Sequence, residues 1–347
     1  MRICDYAEIG ELKLVIECNS SGYYFTPYYR GDNAMSSLEG IKALLNLYNM
    51  DEVKSLKGKK FVFRGELESA VEKISPMGYS TNYVVAIDDR VIKTYRKIGS
   101  REPEVMIHLE NIAPRVLGWG KYDGKFIQIV TERIVGMDMG RLFYESYKNF
   151  VERGEIIKPP VKDVAQVIAM MHKKLEKFGV EKICEDDIVR WRNYVESMIK
   201  FANVDYSPMK LFMGMRDKEK ILTHQDLHLS QMLLRNGRIY IVDFEGEPLR
   251  KRRDEKLQPV RDISTIARAI GYITRGAWDE WERMIVENIY EEYRRKCNYS
   301  FDRIDYADWI IEKAIYEINY ELKYRPEMVK IPRKGLENAI NYREELK

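Results

Sequence analysis

The sequence predicts an α+β fold in three parts: a small α+β cap over residues 1–58, a β-rich lobe over 59–135 and a mostly helical lobe over 136–347. Three observations carry this. Short alternating apolar runs, separated by Gly, Asp and Asn turns, crowd the first 135 residues. Helical periodicity dominates from residue 138, most clearly over 160–178 and 305–324. A dense polar segment, "ILTHQDLHLSQ…IYIVDFEGEP", interrupts those helices with strands at 221–248. A chain of 347 residues also exceeds what one core comfortably supports.

Each element has a local reason. "LKLVIECNSSGYYFTPYYRGD" reads as a strand, a Ser-Ser-Gly turn and a Tyr-rich strand. "AMSSLEGIKALLNLYNM" reads as a helix capped by Ser36 or Ser37, with Leu38, Ile41, Leu44, Leu45 and Tyr48 on one face. "GYSTNYVVAIDDRVIKTYRKI", 78–98, is a hairpin turning at Asp88-Asp89. "PEVMIHLENI" is a short helix opened by Pro103, and "KYDGKFIQIVTERI" a hairpin turning at Asp123-Gly124. Arg325-Pro326 ends the last clear helix, and the charge run "RKRRDEK", 250–256, reads as a solvated loop.

Composition excludes several classes. A net charge of +3 gives no drive toward nucleic acid. The N-terminus has no apolar run long enough for a signal peptide or a membrane span, so a soluble cytoplasmic protein is expected. The four cysteines, 4, 18, 184 and 297, lack CxxC spacing; buried thiols are expected and structural zinc is not.

The polar segment supplies what phosphoryl transfer from a nucleotide needs: a carboxylate to orient the attacking hydroxyl, hard oxygens for magnesium and a cation on the nonreacting phosphates. Asp226 is the carboxylate, and Gln231 follows five residues later on the same short loop. Asp243 ends the next apolar strand, where its carboxylate emerges beside that loop. One carboxylate and one amide oxygen suit Mg2+, which keeps water and phosphate in its shell. A β-rich lobe followed by a helical lobe with such a segment is the layout of the protein-kinase superfamily.

"HQDLHLSQ" resembles the Asp-bearing loop of the maltokinases, in the aminoglycoside-phosphotransferase branch of that superfamily. "IVDFEGEPLRKRR", "QPVRDISTIARAIGY" and "EKAIYEINYELKYRPEMVKIPRKGL" are similar to the segments that follow in that family, and "GYSTNYVVAIDDRVIKTYR" to its phosphate loop and Lys-bearing strand. Gln225 and Ser230 stand where the family has glycines. The resemblance implies a protein-kinase-like fold, ATP and Mg2+ as cofactors, and maltose phosphorylated at its anomeric hydroxyl. Glucosamine or another hexose is the rival acceptor, and a catalytically weak nucleotide-binding regulatory protein the rival class. The expected partners are nucleotide and sugar, in a monomer or dimer.

Residue by residue, the resemblance makes Asp226 catalytic and assigns Gln231 and Asp243 to the metal, with Glu245 a metal-facing candidate. Lys93 takes the nucleotide phosphates. Its carboxylate partner is expected at Glu104, with Glu102 and Glu110 as alternatives. Gly78, Ser80, Thr81 and Asn82 offer phosphate donors. Thr131, Glu132 and Ile134 fall where a hinge presents backbone groups to adenine. Tyr316, Glu317, Tyr320 and Glu321 form an i, i+4 ladder suited to a sugar ring and its hydroxyls. His228 could reach phosphate or sugar. His224 is expected to brace the loop, His172 to be a packed core histidine, and Asp262 to hold the Asp226 loop from behind.

Overall fold

The structure, a computed structural model, describes residues 1–68, 70–77 and 81–347. It divides into two compact units, Met1–Val135 and Gly136–Lys347.

The first unit is built on antiparallel sheets. Strands Arg2–Ile9, Leu12–Asn19, Gly22–Tyr29 and Asp32–Asn33 form a four-stranded meander. Alternation in its second strand turns Leu12, Leu14 and Ile16 inward. The helix Leu38–Asn46 adds Ile41, Leu44 and Leu45 to the same core. Ser37 is its cap, its Oγ accepting from Gly40 N at 3.1 Å. A seven-stranded sheet follows, ordered Val53–Lys54, Lys60–Gly65, Val116–Tyr122, Lys125–Glu132, Arg90–Thr94, Tyr83–Ile87 and Ile74–Pro76. Residues 1–58 share one core with this sheet, centred on Phe25, Phe61 and Phe63. Full burial of each ring is worth about 1.5–3 kcal/mol. The two expected hairpins stand where the turn residues put them, Tyr83–Ile87 with Arg90–Thr94 and Val116–Tyr122 with Lys125–Glu132.

Cysteine usage departs from the expectation of buried thiols. Cys4 and Cys18 form a disulfide between the first two strands, their Cα atoms 5.9 Å apart. A register shift between Ile3 and Asp5 sets Cys4 outside the regular pairing, next to Cys18 across the hairpin. Cys184 is exposed and Cys297 half-buried.

The second unit is mostly helical, as expected. Helices Val161–Leu175, Glu185–Ala202, Val260–Ile273, Arg303–Tyr324 and Lys330–Glu345 supply its frame. Two small sheets interrupt them. One pairs Met232–Arg235 with Arg238–Ile241, and the other holds Glu219–Leu222, so the intervening polar loop is anchored on both sides. The helix Arg303–Tyr324 starts in a capping box of Asp302 and Asp305. It packs against helices Glu185–Ala202, Val260–Ile273 and Lys330–Glu345. From Asp305 to Asn319 it is buried on every face, its charged residues included. The charge run at 250–256 is corrected at its first residue. Arg250 is 5% exposed and binds Glu247 and Glu312, because two buried carboxylates lie within its reach.

Candidate active site

Asp226 sits in the loop between strand Glu219–Leu222 and strand Met232–Arg235. The loop is tied down from behind by Asp262, in the first turn of helix Val260–Ile273. Asp262 Oδ2 accepts from His224 N at 2.8 Å, and Oδ1 from Gln225 N at 3.0 Å. His172 Nε2 lies 3.0 Å from the same carboxylate, and its Nδ1 bonds Tyr293 Oη at 2.6 Å. Asp262 is therefore the expected brace and His172 the expected core histidine. Burial would raise the Asp262 carboxyl, but the His172 and His224 contacts outweigh it and hold it low. His224 donates from Nε2 to Val242 O at 3.0 Å, and its Nδ1 accepts from Asp226 N at 3.3 Å. Those two roles fix a neutral tautomer, and burial holds its pKa below the usual value.

Gln225 occupies a left-handed backbone position, φ 72°, where the family resemblance has glycine. Its N–H goes to Asp262, its carbonyl accepts from Arg261 Nη1 at 2.9 Å, and its Nε2 donates to Glu255 O at 2.7 Å. These bonds hold a conformation that costs about 1–2 kcal/mol for an L residue.

Gln231 and Asp243 meet as the spacing suggests: Nε2 of the amide lies 3.1 Å from Asp243 Oδ2. A half-turn of that amide presents its oxygen instead. Oxygens of Asp243 and Glu245 lie within 4.8 Å of each other. This hard-oxygen set fits Mg2+.

One residue at Asp226 was not singled out from the sequence. Lys313, on helix Arg303–Tyr324, places Nζ 3.0 Å from Asp226 Oδ1 and 2.7 Å from Glu247 Oε1. It is 4% exposed. Burial alone would depress its ammonium, yet Glu247 and Asp226 hold it above the ordinary range. Glu247 in turn accepts from Arg261 Nη2 at 2.8 Å and Arg250 Nε at 2.9 Å, and Glu312 completes the set by binding both arginines. Burial opposes the Glu247 charge; Arg261, Lys313 and Arg250 outweigh it and hold the carboxyl low. Three anions and three cations balance behind the loop, which is the condition under which buried charge is tolerated.

Asp226, His228, Lys313, Tyr316, Glu317, Tyr320 and Glu321 all line one cavity of about 490 Å³. The structure thus brings the expected acceptor residues together with Asp226. Tyr316 and Tyr320 stack with centroids 6.4 Å apart. Glu317 accepts from Arg268 Nε at 2.9 Å; Glu321 accepts from Tyr272 Oη at 2.8 Å and from Arg325 Nη2 at 2.6 Å. Burial keeps the His228 imidazole toward its neutral form.

In the first unit, Lys93 Nζ lies 2.7 Å from Glu102 Oε2. This corrects the choice of Glu104. Glu102 is 2% exposed at the start of helix Glu102–Ile107 and also accepts from Tyr95 Oη at 2.7 Å, whereas Glu104 faces solvent. Asn82 Oδ1 accepts from Arg96 N at 3.1 Å, and Thr81 is exposed. Thr131 is buried in strand Lys125–Glu132; Glu132 accepts from Arg115 N at 2.8 Å, and Ile134 is half-buried beyond the strand end. Gly78 and Ser80 lie outside the described residues.

No family model matches the chain. Among solved structures it is similar to a glucosamine kinase in complex with glucosamine, ADP and inorganic phosphate. The TM-score is 0.79 at 14% identity, over 99% of this chain and 96% of that one. A second crystal form of glucosamine kinase matches with TM-score 0.71 at 15% identity, over 97% and 93% of the two chains. A Ralstonia eutropha protein assigned as an aminoglycoside phosphotransferase matches with TM-score 0.54 at 11% identity, over 89% and 98%. The chain therefore has an α+β, kinase-like fold. The narrower resemblance to maltokinases goes no further than the sequence motifs.

Proposed function

We propose that the protein transfers the γ-phosphoryl group of ATP to a hydroxyl of a small sugar. The observation that carries this is Asp226 itself: Lys313 holds one oxygen, and the carboxylate faces a cavity lined by Tyr316, Tyr320 and two further carboxylates. Lys313 fixes the side chain, so the other oxygen can accept a hydrogen bond from the attacking hydroxyl and take its proton late in the transfer. Gln231, Asp243 and Glu245 would hold Mg2+, which neutralises charge on the transferred group when bound. By the resemblance, Lys93, held by Glu102, serves the nonreacting phosphates. The stacked tyrosines suit the CH face of a sugar ring.

Maltose, phosphorylated at the anomeric hydroxyl to maltose 1-phosphate, is the acceptor we favour over glucosamine. Each carboxylate lining the cavity already has a cation: Asp226 has Lys313, Glu317 has Arg268, and Glu321 has Arg325. An ammonium entering there would meet no unspent anion, while hydroxyls can use the remaining lone pairs. The glucosamine-kinase neighbours keep an amino sugar as the second reading. The non-catalytic reading has in its favour Gln225, Ser230 and the expected Glu104 partner of Lys93, and both the bonded left-handed Gln225 and the Lys93–Glu102 pair weaken it.

The test is phosphorus NMR with ATP, Mg2+ and a panel of maltose, glucose, glucosamine, trehalose and an aminoglycoside. A new anomeric phosphate signal with maltose alone supports the full reading. A signal with another sugar keeps the chemistry and removes maltose. Silence across the panel removes the proposal.

A further inference from the structure

The two glutamates of the cavity at Asp226 are not equivalent. Glu321 is fully buried, and both of its oxygens bond protein donors: Oε1 accepts from Tyr272 Oη and Arg325 Nη2, and Oε2 from Arg325 Nε at 3.0 Å. Glu317 uses Oε2 alone, accepting from Arg268 Nε at 2.9 Å. Its Oε1 has no hydrogen-bond partner among the described residues, yet it keeps accessible surface and opens to the cavity that Glu317 lines. A carboxylate oxygen with no donor is spare capacity for a ligand hydrogen.

What sets the direction of that oxygen lies behind the cavity wall. Arg268, on helix Val260–Ile273, is buried and does not line the cavity. Its guanidinium is lodged between two glycines. Nη1 is 3.0 Å from where a Cβ of Gly271 would stand, and a Cβ at Gly335, on helix Lys330–Glu345, would overlap the guanidinium outright. Glycine at 335 thus answers a close approach. Arg250 and Arg261 each bind both Glu247 and Glu312, whereas Arg268 hydrogen-bonds only to Glu317 among the described residues. An arginine gripped on two sides, with one anion, holds that anion in one orientation. Glu317 is also one helical turn, about 6 Å, from Lys313, so one sugar can reach both Oε1 and Asp226.

We propose that Arg268 is a positioning residue for the acceptor: it fixes Glu317 by Oε2, so that Oε1 accepts a hydrogen bond from a nonreacting hydroxyl of the sugar. The inference rests on the sugar-kinase reading and names the group that orients its substrate. A hydrogen bond to an ionised carboxylate is stronger than one to a neutral group, so the charge on Glu317 matters as well as its direction. Burial pushes the Glu317 carboxyl up; Arg268, from the neighbouring helix, and Lys313, from its own, oppose this, while Glu247 adds to it. The Tyr272 hydroxyl, the other titratable group turned toward Glu317, is itself pushed up by burial and stays neutral. With Arg268 gone, Glu317 should take up a proton rather than remain as an unpaired buried charge.

Steady-state kinetics of the full chain test this, with maltose or whichever panel sugar the wild type phosphorylates. Arg268→Gln is expected to raise KM for the sugar at least about tenfold at neutral pH, with kcat and KM for ATP little changed. The carboxylate form of Glu317 returns as pH rises. The ratio of variant to wild-type KM should therefore fall between about pH 6 and about pH 9, and should stay high throughout in Arg268→Gln/Glu317→Gln. A residue that only supports the fold would give no such recovery. Arg268→Lys, which keeps the charge, should restore most of the loss. If Arg268→Gln does not fold, Glu317→Gln carries the test: it turns an N–H toward the hydroxyl and should raise the same KM at every pH. An unchanged KM for the sugar, an equal rise in KM for ATP, or a ratio independent of pH in Arg268→Gln overturns the proposal while the kinase reading stands. A wild type silent with every sugar removes both.

Discussion

The Asp226 loop and the helix that faces it are held by different chemistry. The loop hangs by two backbone N–H groups on one buried carboxylate, Asp262, itself bonded to His172. The helix Arg303–Tyr324 meets the loop through Lys313, whose charge is balanced by Glu247, Arg250, Arg261 and Glu312. The first arrangement has no substitute for its acceptor. The second shares every charge among several partners. Loss of one member should therefore cost the loop more than the network.

The largest effect expected is on turnover. Asp226→Ala should lower the rate by about 10²–10⁴-fold, the usual worth of a positioned acid or base. Asp243→Ala should also remove activity. Neither should shift the thermal midpoint appreciably, because Lys313 keeps Glu247 and the Gln231–Asp243 bond is half-exposed. Retained turnover in either variant breaks the assignment.

Stability sharpens the contrast. Asp262→Ala leaves two buried N–H groups without an acceptor and should cost about 3–5 kcal/mol in urea unfolding. Lys313→Met leaves Glu247 with both arginines and should cost only about 1–2 kcal/mol. Equal losses would show that the network is no more redundant than the brace.

The loop is also the half that titrates near neutrality. Burial holds His224 and His228 below their unfolded pKa, so the folded state binds fewer protons than the unfolded chain as the pH falls below about 6.5. Stability from these groups is present above that value and is lost on acidification, by at most about 1.4 kcal/mol per pH unit for each histidine. The network adds nothing in that range, since Glu247 is held low and Lys313 high. The wild type should lose more stability between about pH 7 and about pH 5 than His228→Gln does. Parallel curves for the two proteins would place the pH dependence elsewhere.

The same contrast governs what could be read in advance. The loop is local in sequence: Asp226, Gln231 and Asp243 lie within 18 residues, and turn and strand patterns fix their order. Asp262 was legible because it opens the next helix, as a resemblance in motif order implies. Lys313 was not. Apolar Ile311, Ala314, Ile315 and Ile318 make one helical face, so Glu312 and Lys313 read as its solvent side. In the structure other helices cover that side too, and the charges find partners 50 or more residues away. A mixed-sign pair on a helix, Lys313 and Glu317 at i, i+4, was the available hint, and it looks the same on a solvated face. Glu102 stood only as an alternative for a related reason. Proximity to Pro103 favoured Glu104 equally well, and only the burial of one carboxylate separates them. The Cys4–Cys18 bond depends on a bulge in a strand that the charged N-terminal pattern hid.

The smallest effect tests whether the loop tolerates its departure from glycine. Gln225→Gly removes the left-handed strain, a gain of about 1–2 kcal/mol. It also removes the Nε2 bond to Glu255 O, a loss of about 0.5–1.5 kcal/mol, and adds unfolded-state entropy that glycine brings. Those terms nearly cancel, so unfolding free energy should move by less than about 1 kcal/mol. Turnover should hold as well, because Asp262 and Arg261 grip the backbone of residue 225 rather than its side chain. A large loss of rate with stability unchanged would mean that the Gln225 side chain, through Glu255, sets the position of Asp226 beyond what the backbone bonds do.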